Sequence, residues 1–493
     1  FERYCPETSE ATENTNANNS AWPIDLSGGC LVGNIFESVS ERVRPLGHLF
    51  KAKGKALRRP VALLIWLHPR FEMITVFIQK QRIGWLTAAT LTLSIATAQA
   101  GDWPKWRGPS ADAYVAKGDA LPSSLGDTPD VVWKTKTGPG HSAVVIQGNL
   151  LAISEEQGDT EVLRMLDKRT GKELWKTAYG QTYPDDGFGA GPRCAPLFDG
   201  DLIYVQTCRG ELSCLRVKDG SKVWGTDYQK NFKVKWIVNK AQNEGAASRR
   251  GYSGTPIVDG DQLICQVGSA FGAGVVCFEK RTGKVIWKSQ NDLASYASPI
   301  LTKLGGRKQF VTLATERLLG IDPTNGKLLW SESVPTRAFR NVVTPIAVGN
   351  SVVAASHSEG MIAMVGKGSA GNAVRKWKDA KLKINLATPV VVGGNLYGFA
   401  EKDRFISVNA DTGKLNWEER GFGSFYASTL TDGKRLLVLG QLGELVLLNP
   451  NPDEYEELGR MQVCGKSWSF PAYSDGQLFV RDQKNLQCIR LVK

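Results

Sequence analysis

The chain has 493 residues, 22% of them charged, 42% hydrophobic, and a formal net charge of +12 at pH 7. That length allows two or three ordinary domains or one large repeat body. The basic excess is diffuse, which argues against nucleic acid as a partner, and the sequence carries no phosphate loop, dinucleotide fingerprint or zinc motif.

Residues 1–72 are rich in Asn, Ser, Thr and Glu up to Ser20, basic from Lys51 to Arg59, and without periodicity. They read as a disordered or non-native leader, with translation starting at Met73. From Met73 the pattern changes to Lys80 and Arg82, an apolar run from Ile83 to Ile95, and Ala98-Gln99-Ala100. This is the layout of a secretory signal peptide over 73–100, with cleavage leaving Gly101 first. The alternative is a disordered arm followed by a membrane anchor, for which the apolar run is shorter than the ~20 residues of a span. No Cys follows the cleavage site, so no lipid anchor is expected. The mature product is expected to be periplasmic or extracellular, monomeric, and without a membrane span. Residues 101–129 form an N-terminal extension before the periodic part.

From residue 130 onward one pattern repeats. Trp133, Trp175, Trp224, Trp287, Trp330, Trp377 and Trp417 are separated by 42, 49, 63, 43, 47 and 40 residues. Five follow variants of one turn phrase: Asp167-Lys168-Arg169-Thr170-Gly171-Lys172, Lys218-Asp219-Gly220-Ser221-Lys222, Lys280-Arg281-Thr282-Gly283-Lys284, Asp322-Pro323-Thr324-Asn325-Gly326-Lys327 and Asp411-Thr412-Gly413-Lys414. In such a phrase the Asp or Asn folds back on its own backbone and the Gly takes positive φ. The Trp has the area to fill a gap between neighbouring units. Eight unit starts carry a small polar residue with Pro, as in Thr255-Pro256 and Thr388-Pro389, or a degenerate form of it.

Between start and Trp there is room for four short strands; in the sixth unit they are expected near 386–392, 395–400, 404–409 and 414–418. Repeated four-stranded units without amphipathic helices predict an all-β fold, an eight-bladed propeller of antiparallel blades over residues 130–493. The eighth unit ends after three strands. Asp130-Val131-Val132-Trp133-Lys134 is available as its fourth, so Trp133 is expected to dock beside the C-terminal strands and close the ring. Cys265 and Cys277 flank the loop at Phe271 and stand either as a disulfide across a hairpin or as two buried small hydrophobes.

Residues just before each unit start would crown the central channel: His141, Arg193, Tyr252, Tyr296, Arg340, Asn341, Asn385, Tyr426 and Trp468. Aromatic, amide and basic groups converging there suit a flat anionic ligand or a partner's acidic loop; the alternative is a polar rim around a water-filled channel. Two connections on that face are long, 177–194 and 226–251. The second offers Lys230, Lys233, Lys235, Trp236, Arg249 and Arg250 to a partner. In the first, Asp185-Asp186 is a weak calcium candidate, lacking further ligand spacing. Ser142 beside His141 is no nucleophile–base pair, because strand neighbours point to opposite faces. No catalytic residue and no metal site is assigned.

The repeat, its Trp spacing and the segment Trp103-Pro104-Lys105-Trp106-Arg107-Gly108-Pro109 resemble the quinoprotein (pyrroloquinoline quinone, PQQ) repeat family, from about Trp103 to Lys493. Within it the compact arrangement is similar to BamB-type outer-membrane assembly factors and secreted PQQ-like propellers. The resemblance implies a non-catalytic binding scaffold for an envelope or secreted protein partner. Its alternative implication is a PQQ-dependent alcohol or sugar dehydrogenase with PQQ and calcium as cofactors. Such enzymes need Glu and Asn metal ligands and an Asp base, and the larger ones carry two adjacent Cys; this chain has no Cys-Cys pair and no carboxylate at the rim positions. The missing lipid-attachment Cys departs from the BamB-type pattern.

Overall fold

The computed structural model describes residues 101–183, 189–235, 250–336, 340–423 and 425–492. The expected leader and signal peptide lie outside these residues, as do Asp185, Asp186, Trp236 and Arg249. The described residues form 32 strands and one five-residue helix, Tyr228–Phe232. They assemble into eight four-stranded antiparallel sheets, the blades of a propeller.

In seven blades the four strands are consecutive in sequence. The sixth is representative: Val390–Val392, Asn395–Ala400, Arg404–Asn409 and Leu415–Arg420. The inner strand is shorter than expected from the sequence, because the residues before Val390 leave the sheet to form the channel mouth. The eighth blade is composite. Ala472–Ser474, Gln477–Arg481 and Asn485–Arg490 supply three strands, and Asp130–Lys136 pairs antiparallel with the last, Trp133 opposite Cys488. The ring is therefore closed by the N-terminal strand, as the truncated eighth unit predicts.

The tryptophans show how neighbouring blades are joined. Five of the seven rings lie on the turn glycine of the next blade, so near that a Cβ on the glycine would stand 2.5 Å from Trp133 at Gly171, 2.7 Å from Trp175 at Gly220, 2.5 Å from Trp224 at Gly283, 2.6 Å from Trp287 at Gly326 and 2.7 Å from Trp377 at Gly413. These glycines also hold φ between 69° and 77°, a region that side chains disfavour. Each indole N–H is satisfied across the same seam: Trp133 donates to Lys168 O at 2.9 Å, Trp175 to Val217 O at 3.1 Å, Trp224 to Lys280 O at 2.9 Å, Trp287 to Pro323 O at 3.1 Å, Trp377 to Ala410 O at 3.1 Å and Trp417 to Asn451 O at 3.0 Å. Trp330 differs. Its N–H donates to Gln309 Oε1 at 2.7 Å, and the Gln309 amide reaches Gly371 O of the next blade at 2.7 Å. Within the phrases, Asp167 Oδ1 accepts from the backbone of Arg169 and Thr170, and Asn409 Oδ1 from Asp411 and Thr412. The acid or amide thus shapes the turn while the glycine admits the neighbour's ring.

Blade 7 lacks such a Trp for a reason built into the closure. In blade 8 the third and fourth strands come from opposite ends of the chain, so no turn phrase joins them and nothing is there to receive an indole. Leu125 of the N-terminal extension packs there instead, against Gly459. The seam between blades 8 and 1 is reinforced at its other end by buried Arg481, which donates to Ser154 O at 2.7 Å and Gly138 O at 2.8 Å.

Cys265 and Cys277 do not form the disulfide left open by the sequence. Cys265 pairs in register with Val276 and Cys277 with Ile264, so the one-residue offset turns the two thiols to opposite faces of the sheet. Both are buried and free. They pack in separate hydrophobic clusters.

If the indole–glycine seam closes the ring, Trp133→Ala should lose about 3–5 kcal/mol in urea denaturation. Gly171→Ala, on the other side of that seam, should destabilise too. Because both changes disrupt one contact, the double variant should lose clearly less than the sum of the two.

Candidate functional site

The central channel is crossed by the N-terminal extension. Trp103 exchanges backbone hydrogen bonds with Ile146 on the inner strand of blade 1 (2.9 and 2.8 Å), and Pro104 O accepts from Phe198 N on that of blade 2 at 2.9 Å. On the far side, Trp106 Nε1 donates to Thr344 Oγ1 of blade 5 at 3.2 Å. Arg107, 1% exposed, donates to Thr388 O and Pro389 O of blade 6, both at 2.8 Å, and to Asp112 O at 3.1 Å. Its guanidinium also faces the Phe470 ring at 5.8 Å. Tyr114 bridges to Thr431 in blade 7, and Ala120 O accepts from Tyr473 OH in blade 8 at 2.6 Å. Backbone carbonyls at the inner edges of the blades face no further strand, and the extension satisfies several of them. The result is a floor beneath the channel mouth.

Above that floor is a cavity of about 170 Å³, lined by Trp106, His141, Arg193, Arg250, Tyr296, Arg340, Tyr426 and Trp468 together with small polar and aliphatic residues. The structure brings together six of the nine expected rim residues: His141, Arg193, Tyr296, Arg340, Tyr426 and Trp468. Three are placed elsewhere. Tyr252 is buried and donates its hydroxyl to Val267 O at 2.6 Å. Asn341 spends its amide N–H groups on Ala314, Thr315 and Val334 carbonyls. Asn385 is half-buried and does not line the cavity. At Tyr252 and Asn341 a polar residue at the end of a connection serves the backbone instead of the channel.

Of the loop residues, Arg250 turns into the cavity. Lys230 lies on the helix and pairs with Asp227 at 3.1 Å. Lys233 ends that helix at φ 57° and stands 6.0 Å from the Phe271 ring, and Lys235 is exposed. Trp106 was missed as a site residue by sequence reasoning. Its signal was present, since two Trp and an Arg within five residues, outside any strand pattern, need a reason to be there.

Among the described residues, the lining combines three guanidinium groups with two indoles, two phenols and an imidazole, and contains no carboxylate. His141 is oriented by Gln483, whose amide approaches Nδ1 at 3.2 Å and brackets both backbone groups of Gly140. The His141 ring lies 5.6 Å from that of Trp468. Tyr426 shares a 2.8 Å hydrogen bond with Ser428, and burial pushes its hydroxyl up to about 12. A site of this kind attracts negative charge and offers flat faces to stack on.

An acid sits behind the lining. Glu161 is wholly buried; its carboxylate accepts from Cys208 N at 3.0 Å, contacts Cys208 Sγ at 2.6 Å and accepts from Tyr179 OH at 2.9 Å. Burial raises its pKa to about 7, against the opposing pull of the Cys208 and Tyr179 hydrogen bonds and of the Arg193 charge.

No protein of curated function matches this chain in sequence. Among solved structures, quinohemoprotein alcohol dehydrogenase ADHIIG from Pseudomonas putida HK5 is similar with a TM-score of 0.53 at 11% identity, over 79% of this chain and 80% of that one. The computationally designed Ika8 protein gives 0.51 at 9% identity, over 74% of this chain and 100% of its own. BamB from Moraxella catarrhalis gives 0.39 at 16% identity, over 72% and 85%. At such identities the likeness to the first two shows the fold alone.

Because the folded state holds Glu161 protonated more tightly than the unfolded state, stability should fall as pH rises from about 4.5 to about 7 and stay low above that. Glu161→Gln should flatten this part of the profile and gain up to ~3 kcal/mol at pH 8, measured by denaturant titration across pH.

A family model described as outer membrane protein assembly factor BamB matches residues 158–419, and with more than half its length so matched, the chain belongs to that family of PQQ-like propellers.

Proposed function

We propose that this chain is a non-catalytic binding scaffold of the cell envelope, exported by the signal at residues 73–100, whose channel mouth receives an acidic segment of an envelope protein partner during protein assembly. The observation that carries this reading is the convergence of Arg193, Arg250 and Arg340 on one aromatic cavity with no carboxylate among its described lining residues. Guanidinium groups in a concave, partly desolvated site bind carboxylates with more specificity than the same charges on an open surface. Size supports a side chain over a complete cofactor: the cavity of about 170 Å³ is well below the roughly 300–1,000 Å³ of ordinary small-molecule sites. Among the described residues no helix is long and apolar enough to cross a membrane.

The fold family also raises metal-assisted PQQ chemistry, and the cavity residues do not fit it. The arginines would match an anionic quinone. Among the described residues, the lining has no acid to hold the metal or take the substrate proton, and no group of three or more His, Cys, Asp or Glu is placed to hold a metal ion. Glu161 is committed to Cys208 and Tyr179 behind the wall.

The test is capture of a partner from envelope extracts by the mature protein. Arg193→Gln, Arg250→Gln and Arg340→Gln are each expected to weaken the captured complex at least about tenfold, and added salt should weaken the parent complex in parallel. Replacing Lys235, Trp236 and Arg249 separates a contribution of the long loop from that of the cavity. Adding PQQ with calcium should leave absorbance and dye-linked alcohol oxidation unchanged. Tight PQQ binding with turnover, or capture indifferent to all three arginines, would remove this reading.

A further inference from the structure

Gly101 occupies an unusual place for a backbone. It is buried, its φ is 89°, and a Cβ built on it would stand 2.3 Å from Asp475 Oδ1. The chain just after it is fixed: Asp102 Oδ1 accepts from Gly148 N at 2.7 Å, and Trp103 is bridged to Ile146. Asp475 lies in the turn after the inner strand of blade 8. It takes Lys168 Nζ of blade 1 at 2.6 Å, and that Nζ also donates to Ser474 Oγ at 3.0 Å. A second acid, Asp119, belongs to the N-terminal extension and accepts from Asp475 N at 3.4 Å. Burial, and then the Asp475 charge, push the Asp119 carboxyl upward, against a backbone hydrogen bond and Lys168. Asp475 is thus paired with Lys168 and lies against the backbone of Gly101, while Asp119 packs against Asp475 and feels the same lysine charge.

Independently of this geometry, the sequence ends an export signal with Ala98-Gln99-Ala100, immediately before Gly101. We infer that cleavage of the Ala100–Gly101 bond completes a site inside the fold: the new α-ammonium group of Gly101 pairs with Asp475 and Asp119 and latches the N-terminal extension across the seam between blades 8 and 1. The reaction is hydrolysis by an envelope peptidase that recognises small residues around the bond. Water adds across the amide, Ala100 leaves with the carboxylate, and the freed amine of Gly101 takes up a proton at neutral pH. One cation is thereby added beside the two carboxylates. The need for glycine follows as well, since any L-residue at 101 would collide with Asp475 and adopt an unfavourable φ.

The inference rests on the export signal proposed above but not on the channel-mouth partner, so the two stand or fall separately. Its pH dependence involves the α-amine with Asp475, Asp119, Lys168 and the neighbouring Asp102. An amine whose pKa rises on folding stabilises the protein below its unfolded value, and that contribution disappears as pH rises through the folded value.

The chain expressed from Met73 is exported by a bacterial host and recovered from the envelope fraction. Intact mass and N-terminal sequencing identify the first residue, and the pH dependence of α-amine reductive methylation gives its pKa. Expected are a chain beginning at Gly101 and an α-amine about one unit above the ordinary ~7.7–8.0, lowered in both Asp475→Asn and Asp119→Asn. Asp119→Asn keeps the Lys168–Asp475 pair, and so decides the matter even if Asp475→Asn does not fold. A different first residue, or an α-amine unchanged by Asp119→Asn, would overturn the latch.

Discussion

The ring is held by an indole laid on a glycine. A propeller blade is a twisted sheet whose two faces must both be buried against neighbours, and the seam between blades is where packing is most demanding. In this chain the seam is filled from one blade and shaped by the next: Trp133 on Gly171, Trp224 on Gly283, Trp377 on Gly413. Neither partner suffices alone. Without the ring the seam has a void, and with any side chain in place of the glycine the ring cannot enter. The hydrogen bond from six of the seven indole N–H groups to a turn carbonyl fixes the angle of approach, so the contact sets blade-to-blade geometry as well as area. Trp330, routed through Gln309, shows that the geometry can be kept when a turn departs from the phrase.

A closed ring of this kind has an empty axis, and the N-terminal extension answers that. Its route from Ile146 and Phe198 across to Thr388 and Thr431 puts buried Trp103 and Arg107 where a through-channel would otherwise run. Arg107 is suited to the task because one planar group reaches three carbonyls on two separate segments. With the axis blocked, the opposite mouth becomes a shallow cup, and its arginines act within a concave wall instead of along a tube.

The fold was almost wholly legible from the sequence, and the site was legible in part, for the same physical reason. Blade count, closure by Trp133 and the turn glycines depend on contacts that recur every 40 to 63 residues, so each is announced several times. The channel mouth is built once. Position before a unit start put His141, Arg193 and Trp468 among the candidates, yet the same rule also proposed Asn341 and Tyr252, whose polar groups are consumed by neighbouring backbone. Nothing local distinguishes an amide that closes a loop from one that faces solvent. Trp106 and Arg250 lay outside the rule altogether: one arrives from the extension, the other from a long connection. Cys265 and Cys277 show the limit of spacing arguments in strands, where a shift of one residue reverses the face.

Seven blades are made of neighbours in sequence, but the eighth joins residues as distant as Asp130 and Arg490. Until the last strand has been synthesised, the strand that bears Trp133 has no sheet to enter. An incomplete ring then shows raw edges on both sides of the gap, ready to pair with other chains. Folding is consequently governed by its most non-local pairing, which makes closure slow relative to blade formation. A chain with this topology depends on protection of those edges for as long as its two ends are apart. Once they meet, the termini of the propeller lie side by side in one blade, so the ring has no intrinsic starting point and the position of its opening is a property of the gene more than of the structure.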